Sequence, residues 1–136
     1  MDVDEARQFL RDHHRGVLAT VRRDGRTQLS PVTGAIDAAG HLLISSRETA
    51  YKVHHLERDP WAAYCGFADE FFGPWVQVEG PVEVVRLPDA MDGLVDYYRL
   101  AAGEHPDWDD YRAAMVRDRR VLVRITVTRA GPNVSG

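Results

Sequence analysis

The sequence predicts a mainly β protein, an antiparallel β-barrel of about six strands with a few short helices. Three observations lead to this prediction. Short runs alternate apolar and polar residues, as in residues 75–85; turn residues such as Asp24-Gly25 separate these runs; and two helical patterns stand just before the last run. With 136 residues, the chain has the length of one ordinary domain, which we assign to residues 1–136.

The first third of the chain predicts one helix and three strands. Asp24-Gly25 is typical of a two-residue hairpin turn, so the segments on either side of it are expected to pair. Pro31 has no N–H to donate to a ladder, and we expect a strand end, a bulge or a sheet edge at that position. The predicted elements are a helix over residues 4–13 and strands over 16–21, 27–36 and 41–45.

The rest of the chain adds three strands and three helices. The strand over residues 61–67 is apolar on both alternating faces, so it must be covered on both sides. Gly80-Pro81 interrupts the following strand and suggests a bulge. In order, we predict a helix over 49–58 capped by Thr49, strands over 61–67 and 75–85, a helix over 88–103, a helix that Asp107 caps, a strand over 120–128, and a loose tail over 129–136.

Composition excludes several classes of protein. The net charge of −4 argues against a dedicated nucleic-acid binder, which would carry a basic surplus. Cys65 is the only cysteine, so no intrachain disulfide forms and a reducing compartment fits. No apolar run reaches the roughly 18 residues of a membrane span, and the acidic N-terminus is unlike a signal peptide. We expect a cytoplasmic protein with neither nucleic acid nor membrane as its partner.

The only lysine, Lys52, stands in the first turn of the helix predicted over 49–58. A cation there opposes the helix dipole at a cost of up to about 1 kcal/mol, so the placement suggests a bound anion, and a helix N-terminus suits phosphate. The alternative is a solvated lysine that Glu48 neutralises. Further donors are close in sequence: Ser45, Ser46, Arg47 and Thr49.

No other pattern points to a specific chemistry. Four of the six histidines form two adjacent pairs, His13-His14 and His54-His55, whose members do not share a helix face. We therefore predict no metal site and expect the histidines to be surface or packing residues. No nucleophile motif surrounds Cys65, and no catalytic acid or base can be assigned. Trp75 is the best candidate for the wall of a ligand pocket, because it follows Gly73-Pro74 at a strand mouth. Four arginines are expected to be salt-bridged surface residues or contacts to an acidic small ligand: Arg117, Arg119, Arg120 and Arg124.

Several segments together resemble a known family. The run Gly16-Val-Leu-Ala-Thr-Val-Arg-Arg-Asp-Gly25, then Gln28-Leu-Ser-Pro-Val32, then Lys52 ahead of Leu56-Glu-Arg-Asp-Pro60 resembles the pyridoxamine 5′-phosphate oxidase-like split β-barrels. Residues 98–112 and 118–122 are most similar to the actinobacterial branch that uses the deazaflavin coenzyme F420. The resemblance implies a six-stranded antiparallel split β-barrel of the FMN-binding type, and a homodimer with cofactor sites at the subunit interface.

The resemblance also implies a set of cofactor-binding residues. Lys52 falls on the position that binds the cofactor phosphate. The family often has a second basic residue two positions earlier, where this chain has Ala50, and Arg47 is the candidate substitute. The other implied contacts are Gln28, Ser30, Pro31 and Val32 along the deazaflavin ring, Ser45 and Ser46 at the ring or the ribityl chain, and Trp75 and Gln77 near the partner subunit.

The function that the resemblance implies is hydride transfer between coenzyme F420 and a conjugated small molecule such as biliverdin or a quinone. FMN is the alternative cofactor, for an oxidase or reductase on the same barrel. A protein of a different class, which binds a cofactor or a tetrapyrrole without catalysis, is the other alternative, because the sequence shows no acid–base residue.

Overall fold

The computed structural model describes residues 1–131 and confirms a mainly β, antiparallel fold. Six strands of six or more residues and two strands of two residues form one curled sheet, so the count differs slightly from the six predicted. The elements are α1 (Val3–Asp12), β1 (Arg15–Val21), β2 (Thr27–Thr33), β3 (Ala35–Ile36), β4 (Leu42–Arg47), α2 (Tyr51–Arg58), β5 (Trp61–Phe67), β6 (Trp75–Val85), α3 (Met91–Ala102), α4 (Trp108–Arg117), β7 (Arg120–Ile125) and β8 (Arg129–Ala130).

The strand β6 belongs to both halves of the sheet. The order of strands is β2-β1-β5-β6-β7-β4-β3, and every pair is antiparallel. The first part of β6, up to Pro81, pairs with β5, whereas Val82 and the residues after it pair with β7. Both registers run without an inserted residue, so the bulge predicted at Gly80-Pro81 is wrong: the strand changes partner there instead.

Of the alternatives predicted at Pro31, the sheet edge is confirmed, whereas the break in the strand lies three residues later, at Gly34. Pro31 pairs with Val17 inside β2, which it can do because β2 is the end strand of the sheet and its other edge needs no donor. Gly34 separates β2 from β3, and a Cβ at that position would lie 2.7 Å from the hydroxyl of Tyr64. The chain therefore turns where the buried Tyr64 ring leaves room only for backbone.

Two clusters of buried residues hold the layers together. One fills the barrel and contains Leu18, Ile44 and Tyr64, all at most 1% exposed. The other lies between the sheet and helices α3 and α4, where Leu94 and Leu122 are fully buried. The hydroxyl of Tyr111 donates a hydrogen bond to the carbonyl of Leu94 at 2.7 Å, which ties α4 to α3.

Several predicted boundaries need correction. Ala50 and not Thr49 is the N-cap of α2, whereas Asp107 caps α4 as predicted and accepts from the N–H of Asp110 at 3.2 Å. The last long strand ends at Ile125, not at residue 128. The predicted tail begins as β8, which pairs with β6, and residues 132–136 lie outside the described residues. Among residues 1–131, no helix is long and apolar enough to cross a membrane.

We predict that Gly80→Ala lowers the free energy of unfolding by about 2–3 kcal/mol, because the added Cβ would collide with the carbonyl oxygen of Thr126 at the point where β6 changes partner. Urea denaturation measures the change. Pro81→Ala alters the neighbouring exposed position, fills no such space, and should cost less than half as much. Equal costs for the two variants would contradict the assigned close contact.

Candidate functional site

The N-terminus of α2 follows a tight turn after β4. In this turn the N–H of Glu48 donates to the carbonyl of Arg119 at 3.0 Å, and the N–H of Ala50 donates to the carbonyl of Arg47 at 3.1 Å. Ala50 has no side-chain oxygen, so no side chain caps the helix. The first N–H groups of α2 therefore keep their partial positive charge, which favours an anion at this end.

Lys52 lies in this first turn, is partly buried, and has no ion-pair partner within residues 1–131. Burial lowers the pKa of its amine, and the nearby charge of Arg120 lowers that pKa further. Glu48, the neutralising partner in the solvated-lysine alternative, pairs instead with Arg86 at 3.2 Å and with Arg119 at 3.3 Å. Lys52 is thus a cation with no counter-ion of its own.

Arg120 differs from the other arginines near the end of α4. Arg117, Arg119 and Arg124 each pair with a carboxylate, as the sequence predicts for this group. Arg120 pairs with no carboxylate among the described residues, and its Nε is buried without a hydrogen-bond partner. In the β4–β7 ladder it stands opposite Arg47, whose side chain is exposed. Positive charge therefore accumulates where β4 ends and β7 begins.

Tyr97 of α3 borders the same region. Its hydroxyl donates a hydrogen bond to the carbonyl of Thr33 at 3.0 Å. Burial raises the pKa of Tyr97, against the opposite effect of the Arg120 charge, so the hydroxyl stays un-ionised at neutral pH. The backbone of Ser45 is a further neighbour of this hydroxyl. Tyr97 thus adds a neutral polar group to the cationic region, and sequence reasoning did not identify it.

The residues implied by the resemblance fall into three groups in the structure. Side chains alternate between the faces of a strand, so Ser45 and Arg47 share the β4 face that leads to Lys52, whereas the buried Ser46 is on the other face. On β2, Gln28, Ser30 and Val32 share the inner face. Pro31 is on the outer face of that strand, as are Trp75 and Gln77 on β6. One chain does not bring the three groups into a single pocket.

An open cavity of about 760 Å³ lies beside the N-terminus of α2. Gln28 lines it, and so does Tyr51, the sequence neighbour of Lys52. His55, also in the lining, is 8% exposed, and its Nδ1 is 3.1 Å from the hydroxyl oxygen of the buried Thr20. The remaining lining residues are Arg22, Arg23, Asp24 and Thr27.

Sequence reasoning placed His55 among surface or packing histidines and missed its position in this cavity. Burial lowers the pKa of its imidazole, and the charges of Arg58 and Arg22 lower it further. His55 is therefore neutral at pH 7 and offers one nitrogen that is not engaged with Thr20. No sequence signal distinguishes it from its exposed neighbour His54. In residues 1–131 no group of three or more potential ligands could hold a metal ion.

The outer face of the sheet half formed by β2, β1, β5 and β6 is apolar and uncovered in one chain. Leu29 is 66% exposed and Trp61 is 44% exposed. Three shallow pockets lie on this face, and the residues that line them include Val17, Ala19, Ala63, Cys65 and Phe67. Burial raises the pKa of the Cys65 thiol, which makes it a poor nucleophile. Strand β5 is predicted to need cover on both faces, and its own chain covers only one of them.

Comparisons with known proteins agree on one family and one fold. A family model described as pyridoxamine 5′-phosphate oxidase matches residues 3–132. A conserved hypothetical protein from Mycobacterium tuberculosis has a similar structure, with a TM-score of 0.77 and 26% identity over 96% of this chain and 82% of that chain.

Two further structures share the fold at lower identity. An F420 reductase has a TM-score of 0.69 and 23% identity, over 91% of this chain and 94% of that chain. A heme binding protein from Mycobacterium smegmatis has a TM-score of 0.72 and 20% identity, over 98% of this chain and 54% of that chain. At these identities the likeness concerns the fold alone.

We predict that His55 makes stability depend on pH. Its pKa is lowered in the folded state from the ordinary value of 6.5, so the unfolded chain takes up this proton at a higher pH. The contribution is therefore present above about pH 6.5 and is lost as the pH falls below it. His55→Gln should flatten the fall in stability between pH 7.5 and 5.5 measured by urea denaturation, whereas His54→Gln should keep most of it. The same pH profile in wild type and His55→Gln would contradict a buried neutral imidazole.

Proposed function

The chain belongs to the pyridoxamine 5′-phosphate oxidase family, and from this premise we propose that it is a coenzyme F420-dependent oxidoreductase. The proposed reaction transfers a hydride between the deazaflavin and a conjugated small molecule such as biliverdin or a quinone. The fold shared with an F420 reductase supports this choice of cofactor. The single cysteine fits work in the cytoplasm.

One observation carries the proposal: Lys52 is partly buried, has no ion-pair partner among residues 1–131, and lies at a helix N-terminus without a side-chain cap. A phosphate group fits this place, because it would accept from the free N–H groups of α2 and would compensate the ammonium charge. A phosphate-bearing cofactor would therefore be held by Lys52 and the first turn of α2. Arg47 would add long-range attraction from the exposed end of β4.

The remaining implied residues have roles that fit their faces. When bound, the deazaflavin supplies a hydride donor that reacts poorly with oxygen. The chain's own residues bind and orient it: Gln28, whose amide donates to the hydroxyl of Ser30 at 3.1 Å, presents a fixed polar edge, and Ser45 adds a hydroxyl near Tyr97. Trp75 and Gln77 point away from this group, so they would act on the site of a second subunit.

FMN is the alternative cofactor, because it also carries a phosphate and because the family is described as pyridoxamine 5′-phosphate oxidase. The site at α2 suits both molecules. Titration of the purified protein with F420 and with FMN, followed by fluorescence, decides between them. Turnover of reduced F420 with biliverdin or menadione supports the proposed enzyme, whereas binding without turnover of any of these supports a carrier.

We further propose that two copies form a homodimer through the apolar outer face of β2, β1, β5 and β6. A monomer would leave the large side chains of Leu29 and Trp61 in water, and burying such area drives association. A second copy is the proposed occupant because the implied cofactor contacts Trp75 and Gln77 are on this face, away from Lys52 of the same chain.

We predict that Lys52→Ala weakens cofactor binding about 10- to 150-fold, because a charge-assisted hydrogen bond to phosphate is worth roughly 1.5–3 kcal/mol. The loss should shrink at high salt, which screens the attraction in the wild type. Folding should be unchanged or slightly more stable, since a cation leaves a helix N-terminus. Dissociation constants at two ionic strengths test this.

Two variants control the Lys52 experiment. Lys52→Arg keeps the charge with a changed geometry and should retain part of the affinity. Arg11→Ala removes one positive charge from an exposed position on α1 and should bind as the wild type does. If Lys52→Ala binds F420 and FMN as tightly as the wild type, the phosphate is bound elsewhere.

The dimer leads to a prediction of its own. Light scattering at micromolar concentration should give about twice the chain mass of 15.3 kDa. Ala63→Arg places a charge in the middle of the outer face and should yield a folded monomer, whereas Gln8→Arg adds the same charge on exposed α1 and should stay dimeric. A wild-type monomer that still binds cofactor would rule out a site shared between subunits.

A further inference from the structure

Two cations of this chain lie close together without a carboxylate to balance them. Lys52 and Arg120 are both partly buried, and the charge of Arg120 reaches the amine of Lys52 strongly enough to lower its pKa. Neither forms an ion pair within the described part of the chain, although ten of the other arginine and histidine side chains there do. Like charges in such a place repel each other, and partial burial strengthens the repulsion.

The groups packed near Arg120 do not supply the missing negative charge. Tyr97 and Tyr111 are its neighbours on the side of α3 and α4, and burial raises the pKa of each phenol, that of Tyr111 to about 12. Both are neutral at physiological pH. Arg47, opposite Arg120 in the ladder, adds a further positive charge.

The guanidinium of Arg120 also keeps an unused donor. Its Nε is buried and has no hydrogen-bond partner, and a buried donor without a partner destabilises a fold. Of the buried side-chain nitrogens and oxygens in residues 1–131, only this one is unsatisfied. An anion that accepts from Nε would satisfy the donor and at the same time offset the repulsion with Lys52.

We propose that Arg120 is the second cation of the phosphate site, and that its guanidinium and the ammonium of Lys52 bind the same phosphate group. Arginine suits this role because its planar fork donates two parallel hydrogen bonds to phosphate oxygens. The exposed Arg47, which the sequence suggested for this place, is surrounded by water and would contribute mainly long-range attraction. The inference rests on the proposed function in one respect, the identity of the cofactor that carries the phosphate.

The test uses Lys52 as its reporter, because it is the only lysine in the chain. Reductive methylation with ¹³C-formaldehyde keeps the charge of the amine and gives one side-chain NMR signal besides that of the N-terminus. Inorganic phosphate should raise the pKa read from this signal in the wild type. Arg120→Gln should raise the pKa of Lys52 in the protein without phosphate, and should reduce the further rise in that pKa when phosphate is added. It should also weaken F420 or FMN binding at least about tenfold.

A matched control stands on the same strand. Arg124→Gln removes the same charge four residues along β7, but Arg124 already pairs with Glu83 at 2.6 Å. It should change neither the Lys52 signal nor the dissociation constants. Arg120→Lys should recover part of the affinity that Arg120→Gln loses, which a purely structural role for Arg120 would not produce.

The outcomes separate this inference from the proposed function. Cofactor binding that is equal in wild type and Arg120→Gln overturns the inference and leaves the function standing. If the wild type binds neither F420 nor FMN, the proposed function fails, and the response of Lys52 to inorganic phosphate still decides the role of Arg120. If Arg120→Gln does not fold, the NMR signal of the Arg120 Nε–H in the wild type is the test. The inference predicts that this signal shifts when phosphate is added, and an unchanged signal overturns the inference.

Discussion

The change of partner in the middle of β6 is the constraint on which the rest of the structure depends. One strand of eleven residues pairs with β5 up to Pro81 and with β7 from Val82 onward, so it joins two halves of a sheet that would otherwise be separate. The joint is tight, because the backbone of Thr126 passes against Gly80 at a place that has no room for a side chain. It fixes where β7 ends, because Val82 pairs with Ile125, and therefore where β4, its next neighbour, begins at Leu42. At the other end of the same β4–β7 ladder, Arg120 pairs with Arg47, next to the turn that leads into α2.

The sequence predicted most of the strands and helices but not the details at their junctions. The predicted bounds of β1, β5 and β6 agree with the structure to within one residue, because a run of apolar residues between turns is a local signal. Pro31 cannot donate, and of the alternatives predicted there only the sheet edge applies, because an end strand needs no donor at its free edge. The true break at Gly34 depends on the ring of Tyr64, which is thirty residues away in sequence, and no local pattern reports such a contact.

The candidate site shows the same division between local and long-range information. Lys52 could be found from the sequence because a single lysine in a first helical turn is a local anomaly. Arg120 could not be distinguished from Arg117, Arg119 and Arg124 in the sequence. These arginines differ in whether a carboxylate lies within ion-pair distance, and that depends on strand register. Glu48 illustrates the point: it is near Lys52 in sequence, but the fold directs it to Arg86 and Arg119. The buried position of His55 likewise depends on how α2 packs on β1.

The implied cofactor contacts on β2 and β6 lie on two opposite faces of one half of the sheet. Strand alternation sends Gln28 and Ser30 to the inner side of β2 and Pro31 to the outer side, and no rearrangement of side chains reverses this without shifting the register of the strand. A site that used Lys52 and Trp75 of the same chain would need to reach around the sheet. The same residues form one site if the outer face of a second chain borders the region of Lys52. In the proposed dimer, the second copy would cover the apolar outer face, and an anion between the two copies would balance the charge of Lys52 at α2.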